Sequence, residues 1–143
     1  MLIDLVARSY EKFAGKPFSK GPLDEQWLYW TAPFGLLVHN TDPDPLFVYA
    51  NKTAQHCFEY TWSEFTELPS RLSAETELQS ARQTLLAKVA ADNFVTGYRG
   101  VRIAKSGRRF WIEDATIWNV VDDNGDHAGQ AALFPHWSPL TQP

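Results

Sequence analysis

Residues 109–121 have the composition of one long β-strand, because β-branched and aromatic residues predominate in them. Their even positions are Phe110, Ile112, Asp114, Thr116, Trp118 and Val120, and their odd positions are Trp111, Glu113, Ala115, Ile117, Asn119 and Val121. Successive residues of a strand point to opposite faces, so both faces of this strand are substantially apolar. An antiparallel sheet with one face in water alternates apolar with polar residues. The chain therefore has to cover both faces of its sheet.

Four more segments have strand character. Residues 98–104 and 127–134 flank the long strand, and turn-forming residues separate the three runs, which is typical of hairpins. Residues 34–39 and 46–50 are short apolar runs with Asn, Asp and Pro residues between them, which predicts another hairpin. We expect five antiparallel strands.

The spacing of apolar residues predicts five helices, over residues 2–13, 23–31, 52–60, 62–68 and 73–92. The first helix is amphipathic and is the natural cover for one face of the sheet, while helices from the middle of the chain can cover the other. Asn51 is well placed as the N-cap of the third helix. The buried stripe of the last helix consists of Leu78, Ala81 or Arg82, Leu85 and Val89.

Length and charge limit what the chain can do. We treat its 143 residues as one domain, with residues 1–31 as an N-terminal helical extension, and a core of that size needs no disulfide. No apolar run approaches the roughly 20 residues that a bilayer crossing needs. The first residues lack a basic cluster before an apolar run, so we expect a cytoplasmic protein. The net charge of -4 argues against a nucleic-acid partner.

The order of the predicted elements, a two-stranded hairpin, then short helices and a three-stranded meander, resembles that of the PAS fold. Residues 47–54 add a local likeness, since in the PAS signature a strand ends at an Asn, here Asn51, and an Ala, here Ala54, follows three positions later. The resemblance implies an α+β fold. In it, a five-stranded antiparallel sheet has helices on one face and, in this chain, the N-terminal amphipathic helix on the other.

Several phrases, taken in order, resemble the MEKHLA domain, a PAS-related family. They are residues 32–34 (APF), His39, and residues 42–51 (DPDPLFVYAN), 68–71 (LPSR), 98–103 (YRGVRI), 107–110 (GRRF), 118–120 (WNV) and 129–132 (GQAA). The family occurs as stand-alone bacterial proteins and at the C-terminus of plant class III homeodomain leucine-zipper factors. Because the six letters of the acronym do not occur here as a run, the resemblance is to the stand-alone bacterial type. It implies a sensory or regulatory module, with no agreed ligand and no set of catalytic residues.

Gln130 is the strongest candidate for a ligand-binding residue. A polar amide on a central strand costs free energy unless it is hydrogen-bonded. In flavin-binding PAS domains a glutamine on the corresponding strand contacts the chromophore, so the resemblance implies a ligand contact; the alternative is a bond to Asn119 or Trp118. The same two interpretations, a ligand contact or a hydrogen bond within the protein, apply to Asn119 and Arg102. Arg102 and Glu113 form either a cross-strand ion pair or the polar end of a pocket that recognises a carboxylate.

Three further residues have both a functional and a structural interpretation. Cys57 has the residue type of the flavin-adduct cysteine in light-oxygen-voltage domains, but its neighbours do not match that phrase, which favours a buried thiol on the core face of a helix. His39 is either a sensor or a turn residue that closes the first strand. Trp118 either covers the sheet or stacks on a planar ligand. The four histidines include no pair at three- or four-residue spacing, so we expect no metal site.

Two functional hypotheses remain. In the first, the chain is a PAS-like sensory or regulatory module that binds a small organic ligand or a protein partner and catalyses nothing. A flavin or another planar molecule is one option for the ligand, and the first helix reports binding to a second copy in a homodimer. In the second, the chain is a small isomerase or dehydratase of cystatin-like fold, with Asp114 or Glu113 and His127 as its buried acid and base. The early hairpin favours PAS winding and the first hypothesis.

Overall fold

The computed structural model describes residues 2–74 and 79–140, except the side chains of Gln79 and Arg82. Its helices are α1 (Leu2–Ala14), α2 (Glu25–Trp30), α3 (Lys52–Phe58), α4 (Trp62–Phe65) and α5 (Gln79–Asp92), and a 3-10 helix occupies Ser70–Ser73. Its strands are β1 (Gly35–His39), β2 (Phe47–Ala50), β3 (Phe94–Ile103), β4 (Arg109–Val121), β5 (His127–Phe134) and β6 (His136–Pro139). None of the described helices is long and apolar enough to cross a membrane.

The described strands form one antiparallel sheet with β5 at its centre. The order across the sheet is β2-β1-β5-β4-β3, and β6 pairs with the first half of β4, beyond the end of β5. Helices α3, α4 and α5 pack on one face, which we call the inner face, and α1 packs on the other, the outer face. The predicted five antiparallel strands, with helices on one face and the N-terminal helix on the other, are confirmed.

Asp114 interrupts the alternation of β4, so the assignment of the two faces by even and odd positions is wrong for the strand as a whole. Its φ is 54°, a left-handed conformation that Asp tolerates better than most residues. At this point β4 carries one residue more than the β3 segment it pairs with, which is a β-bulge. The inner-face residues therefore change from even to odd numbers, and they are Phe110, Ile112, Ala115, Ile117 and Asn119.

The ends of two strands differ from the prediction. β3 begins at Phe94 rather than at Tyr98, because Gly97, with a φ of 65°, allows a bulge through which the strand continues. β6 is absent from the sequence-based prediction. It has four residues and ends at Pro139, so it is too short to show an alternating pattern.

The helix predicted over residues 73–92 starts later than expected. Ser73 instead ends the 3-10 helix, because its hydroxyl closes the turn by donating to a backbone carbonyl at 2.7 Å. The predicted stripe residues Leu85 and Val89 are buried in α5. Ala81, the alternative to Arg82 in that stripe, is exposed, so its predicted burial is wrong. Leu78 and the side chain of Arg82 lie outside the described residues.

Asn51 is buried and hydrogen-bonds to four backbone groups in three segments of the chain. Its Oδ1 accepts hydrogen bonds from the N–H groups of Leu36 and Ala54 at 3.0 and 3.1 Å. Its Nδ2 donates to the carbonyls of Leu28 and Phe34 at 3.1 and 2.9 Å. The bond to Ala54 is the predicted N-cap of α3. The other three bonds hold this cap against α2 and β1, so one side chain joins two helices and a strand.

α1 lies on the outer face, as its amphipathic pattern predicts. Ile3 and Val6 are buried against Trp118, whose Nε1 donates to the Val6 carbonyl at 3.0 Å. The Ser9 hydroxyl accepts from the Val121 N–H at 2.9 Å. These two hydrogen bonds attach α1 to β4. A shift of that strand therefore changes how α1 packs on the outer face.

Candidate functional site

Three polar side chains form a row across the centre of the inner face, and we call them the polar row. Asn119 of β4, Gln130 of β5 and His39 of β1 are direct partners in the strand register. Gln130 Nε2 donates to Asn119 Oδ1 at 3.5 Å, and His39 Nε2 lies 3.3 Å from Gln130 Oε1. The structure therefore brings together three of the six predicted ligand-binding residues.

The helix α5 fixes the direction of these hydrogen bonds. Asn119 Nδ2 donates to the Val89 carbonyl at 3.1 Å and to Asn93 Oδ1 at 3.0 Å, so Asn119 turns its oxygen toward Gln130. Gln130 in turn presents its oxygen to His39. The other ring nitrogen of His39, Nδ1, lies 2.9 Å from the Asn40 carbonyl, which is also an acceptor. A neutral imidazole has one N–H, so it can satisfy only one of these two contacts at a time.

The polar row separates two spaces. A cavity of about 60 Å³, the inner cavity, lies between the inner face and the helices. A wider cleft of about 430 Å³, the outer cleft, opens beside α5 and the turn after β4. His39, Gln130 and Leu86 line both spaces. A change in the side chains of the row would therefore connect the cleft with the cavity.

Arg102 lies on β3 and lines the inner cavity. The predicted alternative of an ion pair between Arg102 and Glu113 is wrong, because Glu113 Oε2 pairs instead with Arg99 Nε at 3.0 Å. Glu113 directly follows the inner-face residue Ile112 and therefore points away from that face, and Arg99 stacks its guanidinium 3.6 Å from the centre of the Trp111 ring. Arg102 thus stays on the inside without that partner.

Cys57 and Trp118 lie away from the polar row. Cys57 lines a separate surface pocket with Thr53 and Arg108, and Arg108 donates to the Cys57 carbonyl at 2.6 Å. Burial raises the pKa of the Cys57 thiol to about 12, and the nearby guanidinium of Arg108 offsets only part of that rise. The thiol is therefore protonated at neutral pH. Trp118 is fully buried on the outer face, where it contacts α1.

A flavin does not fit the inner cavity. The inner cavity of about 60 Å³ is far smaller than the roughly 300–1,000 Å³ of common small-molecule sites. The one cysteine of the chain does not line it. Within residues 2–74 and 79–140, no three His, Cys, Asp or Glu side chains come together as a metal ion would need.

The residues of the enzyme hypothesis do not form a buried acid–base pair. Asp114 and His127 are exposed. The pKa of Glu113 is lowered, first by the hydrogen bond from Arg99 and then by one from Ser138. A general base that works near neutral pH needs a raised carboxyl pKa, so this geometry does not favour a catalytic role.

The sequence-based prediction missed Asn93 and Leu86. Asn93 follows α5 directly and has a φ of 66°. An Asn between a helix and a strand is a common left-handed terminator, so that signal was present. Leu86 could not be selected, because its place between two cavities depends on how α5 crosses the sheet.

The sequence matches the MEKHLA domain family over residues 1–139. Two curated relatives from Arabidopsis thaliana, the homeobox-leucine zipper proteins ATHB-9 and ATHB-14, are 26% and 24% identical to it over 98 residues. Each alignment covers 68% of this chain and 12% of the relative. The chain therefore spans a small part of the length of these plant proteins.

Several solved structures share the fold. The PAS domain of a protein from Colwellia psychrerythraea has a TM-score of 0.67 and 14% identity, over 82% of this chain and 94% of that one. A fungal LOV domain photoreceptor has a TM-score of 0.66 and 20% identity, over 98% and 92%. The light-state dimer of the fungal blue-light photoreceptor Vivid has a TM-score of 0.64 and 18% identity, over 92% and 91%. At these identities the likeness shows a PAS-like fold.

Proposed function

Since the chain belongs to the MEKHLA domain family, which is PAS-related, we propose that it is a non-catalytic sensory or regulatory module. A small organic ligand binds at the polar row, between the outer cleft and the inner cavity. A protein partner docking at the same cleft is the alternative occupant.

The weak hydrogen bonding of the buried polar row is the main support for a ligand site. Gln130 and Asn119 are 8% and 6% exposed in an otherwise apolar sheet face, and buried amides need hydrogen bonds. The bonds within the row, at 3.3 and 3.5 Å, are longer than the usual length of about 2.9 Å and therefore weak. A ligand that offers better partners replaces them at little cost. The outer cleft, at about 430 Å³, is within the usual size range of small-molecule sites.

Binding at the row reaches α1 through β4. Asn119 faces the row on the inner side, and its neighbour Trp118 donates to the Val6 carbonyl of α1 on the outer side. A movement of β4 that accommodates a ligand therefore changes the contact with α1. This coupling operates as a population shift, so it requires a ligand that prefers one of the two arrangements. Amide hydrogen exchange of residues 2–13 should change on ligand addition, and unchanged exchange would refute the coupling.

The proposed site is tested by a ligand search on the purified chain. Mass spectrometry of the denatured protein detects a co-purified molecule, and amide NMR with a mixture of small acids, bases and neutral metabolites detects new binding. Gln130→Leu should abolish binding, because it removes the central amide of the row. Gln26→Leu, which changes an exposed amide on α2, should bind as the wild type does. Equal binding by Gln130→Leu, or no binding of any compound, would refute a ligand site here.

We also propose that the chain is cytoplasmic and forms a homodimer through α1. The inner side of α1 is held by the sheet, while Asp4 and Arg8 are exposed; Arg8 pairs both with Asp4 and with Asp123 in the turn after β4. A twofold contact through such a charged surface is weak, so the dimer should be concentration- and salt-dependent. Light scattering at several protein and salt concentrations tests it, and a monomer throughout would refute it.

A further inference from the structure

The guanidinium of Arg102 is a buried cation with few hydrogen-bond partners. Arg102 is 9% exposed. It donates to the Val101 carbonyl at 2.8 Å and to the Tyr98 hydroxyl at 3.4 Å, so only two of its five N–H groups are used in these bonds. In the part of the chain that the structure describes, its charge has no carboxylate within ion-pair distance. Buried charges are normally paired.

Arg99, on the same strand, shows what Arg102 lacks. Arg99 is half-exposed, pairs with Glu113 at 3.0 Å and stacks on Trp111. The outward arginine therefore has both an anionic partner and an aromatic partner from this chain. The inward arginine has the Val101 carbonyl and the hydroxyl and ring of Tyr98, whose centre lies 5.6 Å from the guanidinium, but no anionic partner among the described residues. An anion from outside the chain would complete the environment of Arg102.

The inner cavity has the chemistry of an anion site with an apolar wall. Its described lining residues include no Asp or Glu. Polar groups come from Arg102, His39 and Gln130, and the 3-10 helix adds Ser70 and Ser73. The remaining lining residues are the side chains of Leu, Ile, Phe and Ala. A guanidinium pairs with a carboxylate through two parallel N–H bonds, and the apolar wall suits a short alkyl chain.

We propose that the inner cavity binds a short-chain alkyl carboxylate, with its carboxylate on Arg102 and its alkyl group against Ile112 and Ile117. This inference rests on the proposed function and identifies the ligand class of that site. The cavity volume of about 60 Å³ is enough for about four to six water molecules, which matches the heavy atoms of an acid of two to four carbons. The ligand enters from the outer cleft when the polar row opens.

The test is a calorimetric and amide-NMR titration of the full chain with sodium propionate, in a buffer without other carboxylates. Arg102→Met should weaken binding by about tenfold or more, the loss expected when charge-assisted hydrogen bonds are removed. Arg99→Met, a matched change of an outward arginine on the same strand, should keep the affinity within about twofold. Should Arg102→Met not fold, Arg102→Lys keeps the charge without the paired N–H geometry and should still weaken binding by about threefold.

The possible outcomes distinguish carboxylate binding at Arg102 from the more general proposal of a ligand site at the polar row. Saturable propionate binding that Arg102→Met weakens and Arg99→Met preserves supports it. Unchanged affinity in Arg102→Met, or inorganic phosphate binding as tightly as propionate, overturns it. If a neutral compound binds at Gln130 and propionate does not, the carboxylate is refuted and the ligand site stands. If neither propionate nor any other compound binds, both are refuted.

Discussion

Replacement of Asn51 by alanine tests the structural centre of this domain. Asn51→Ala removes four hydrogen bonds at once, those with Leu36, Ala54, Leu28 and Phe34. Each bond contributes a net value of roughly 0.5–1.5 kcal/mol, and buried groups left unpaired raise the cost. We expect a loss of about 4 kcal/mol from the free energy of unfolding, which is a large part of the roughly 5–15 kcal/mol typical of a domain.

Urea unfolding followed by circular dichroism measures this loss. With a typical slope near 2 kcal/mol per molar urea, the midpoint should fall by about 2 M. Asn124→Ala, which changes an exposed amide in the turn after β4, should change stability by less than about 0.5 kcal/mol. A loss below about 1 kcal/mol in Asn51→Ala would refute the view that this side chain joins α3 to α2 and β1.

Three other predictions follow from single residues. Trp118→Phe removes the hydrogen bond to α1, so exchange of residues 2–13 should become faster, while Trp137→Phe, at a side chain 40% exposed, should leave it unchanged. Because burial raises the thiol pKa to about 12, Cys57 should react with a disulfide reagent near neutral pH only after unfolding. Labelling of the native protein should increase as the pH rises toward 12, and rapid labelling at pH 7 would contradict this. Asp114→Val should lower the stability of the protein by about 1–2 kcal/mol, measured by thermal unfolding, because position 114 has a left-handed backbone that Val adopts poorly even though Val favours strands. An unchanged or higher melting temperature would show that the bulge is not needed.

The members of the polar row could be chosen from the sequence, but their arrangement could not. Gln130 and Asn119 attract notice because each is an amide in an apolar strand. Their alignment with His39 requires β1 to pair with β5, two strands separated by 91 residues at this hydrogen bond. No local pattern specifies that register, because it is set by packing over the whole sheet.

The same distinction explains the residues that left the predicted site. Cys57 is the right residue type for a flavin adduct, yet the face of α3 that carries it borders a different pocket. Trp118 has the right type for stacking, yet the bulge at Asp114 gives its side chain to the outer face. The sequence shows the residue types. It does not show that the side chain of Trp118 points to the outer face, because that depends on the left-handed backbone of Asp114.

Most helices and strands of this protein could be located from its sequence alone, although β6 and the starts of β3 and α5 could not. The two-sided apolar pattern of β4, the amphipathic pattern of α1 and the cap at Asn51 each lie within a few residues, because hydrogen bonds and periodicity inside one element are local. Tertiary structure alone decided that β1 lies beside β5, that β4 changes face at Asp114, and that Arg102 is enclosed without a carboxylate of its own among the described residues. These three features depend on which distant parts of the chain pack together, and that packing is set by the contacts of the whole core rather than by any local pattern.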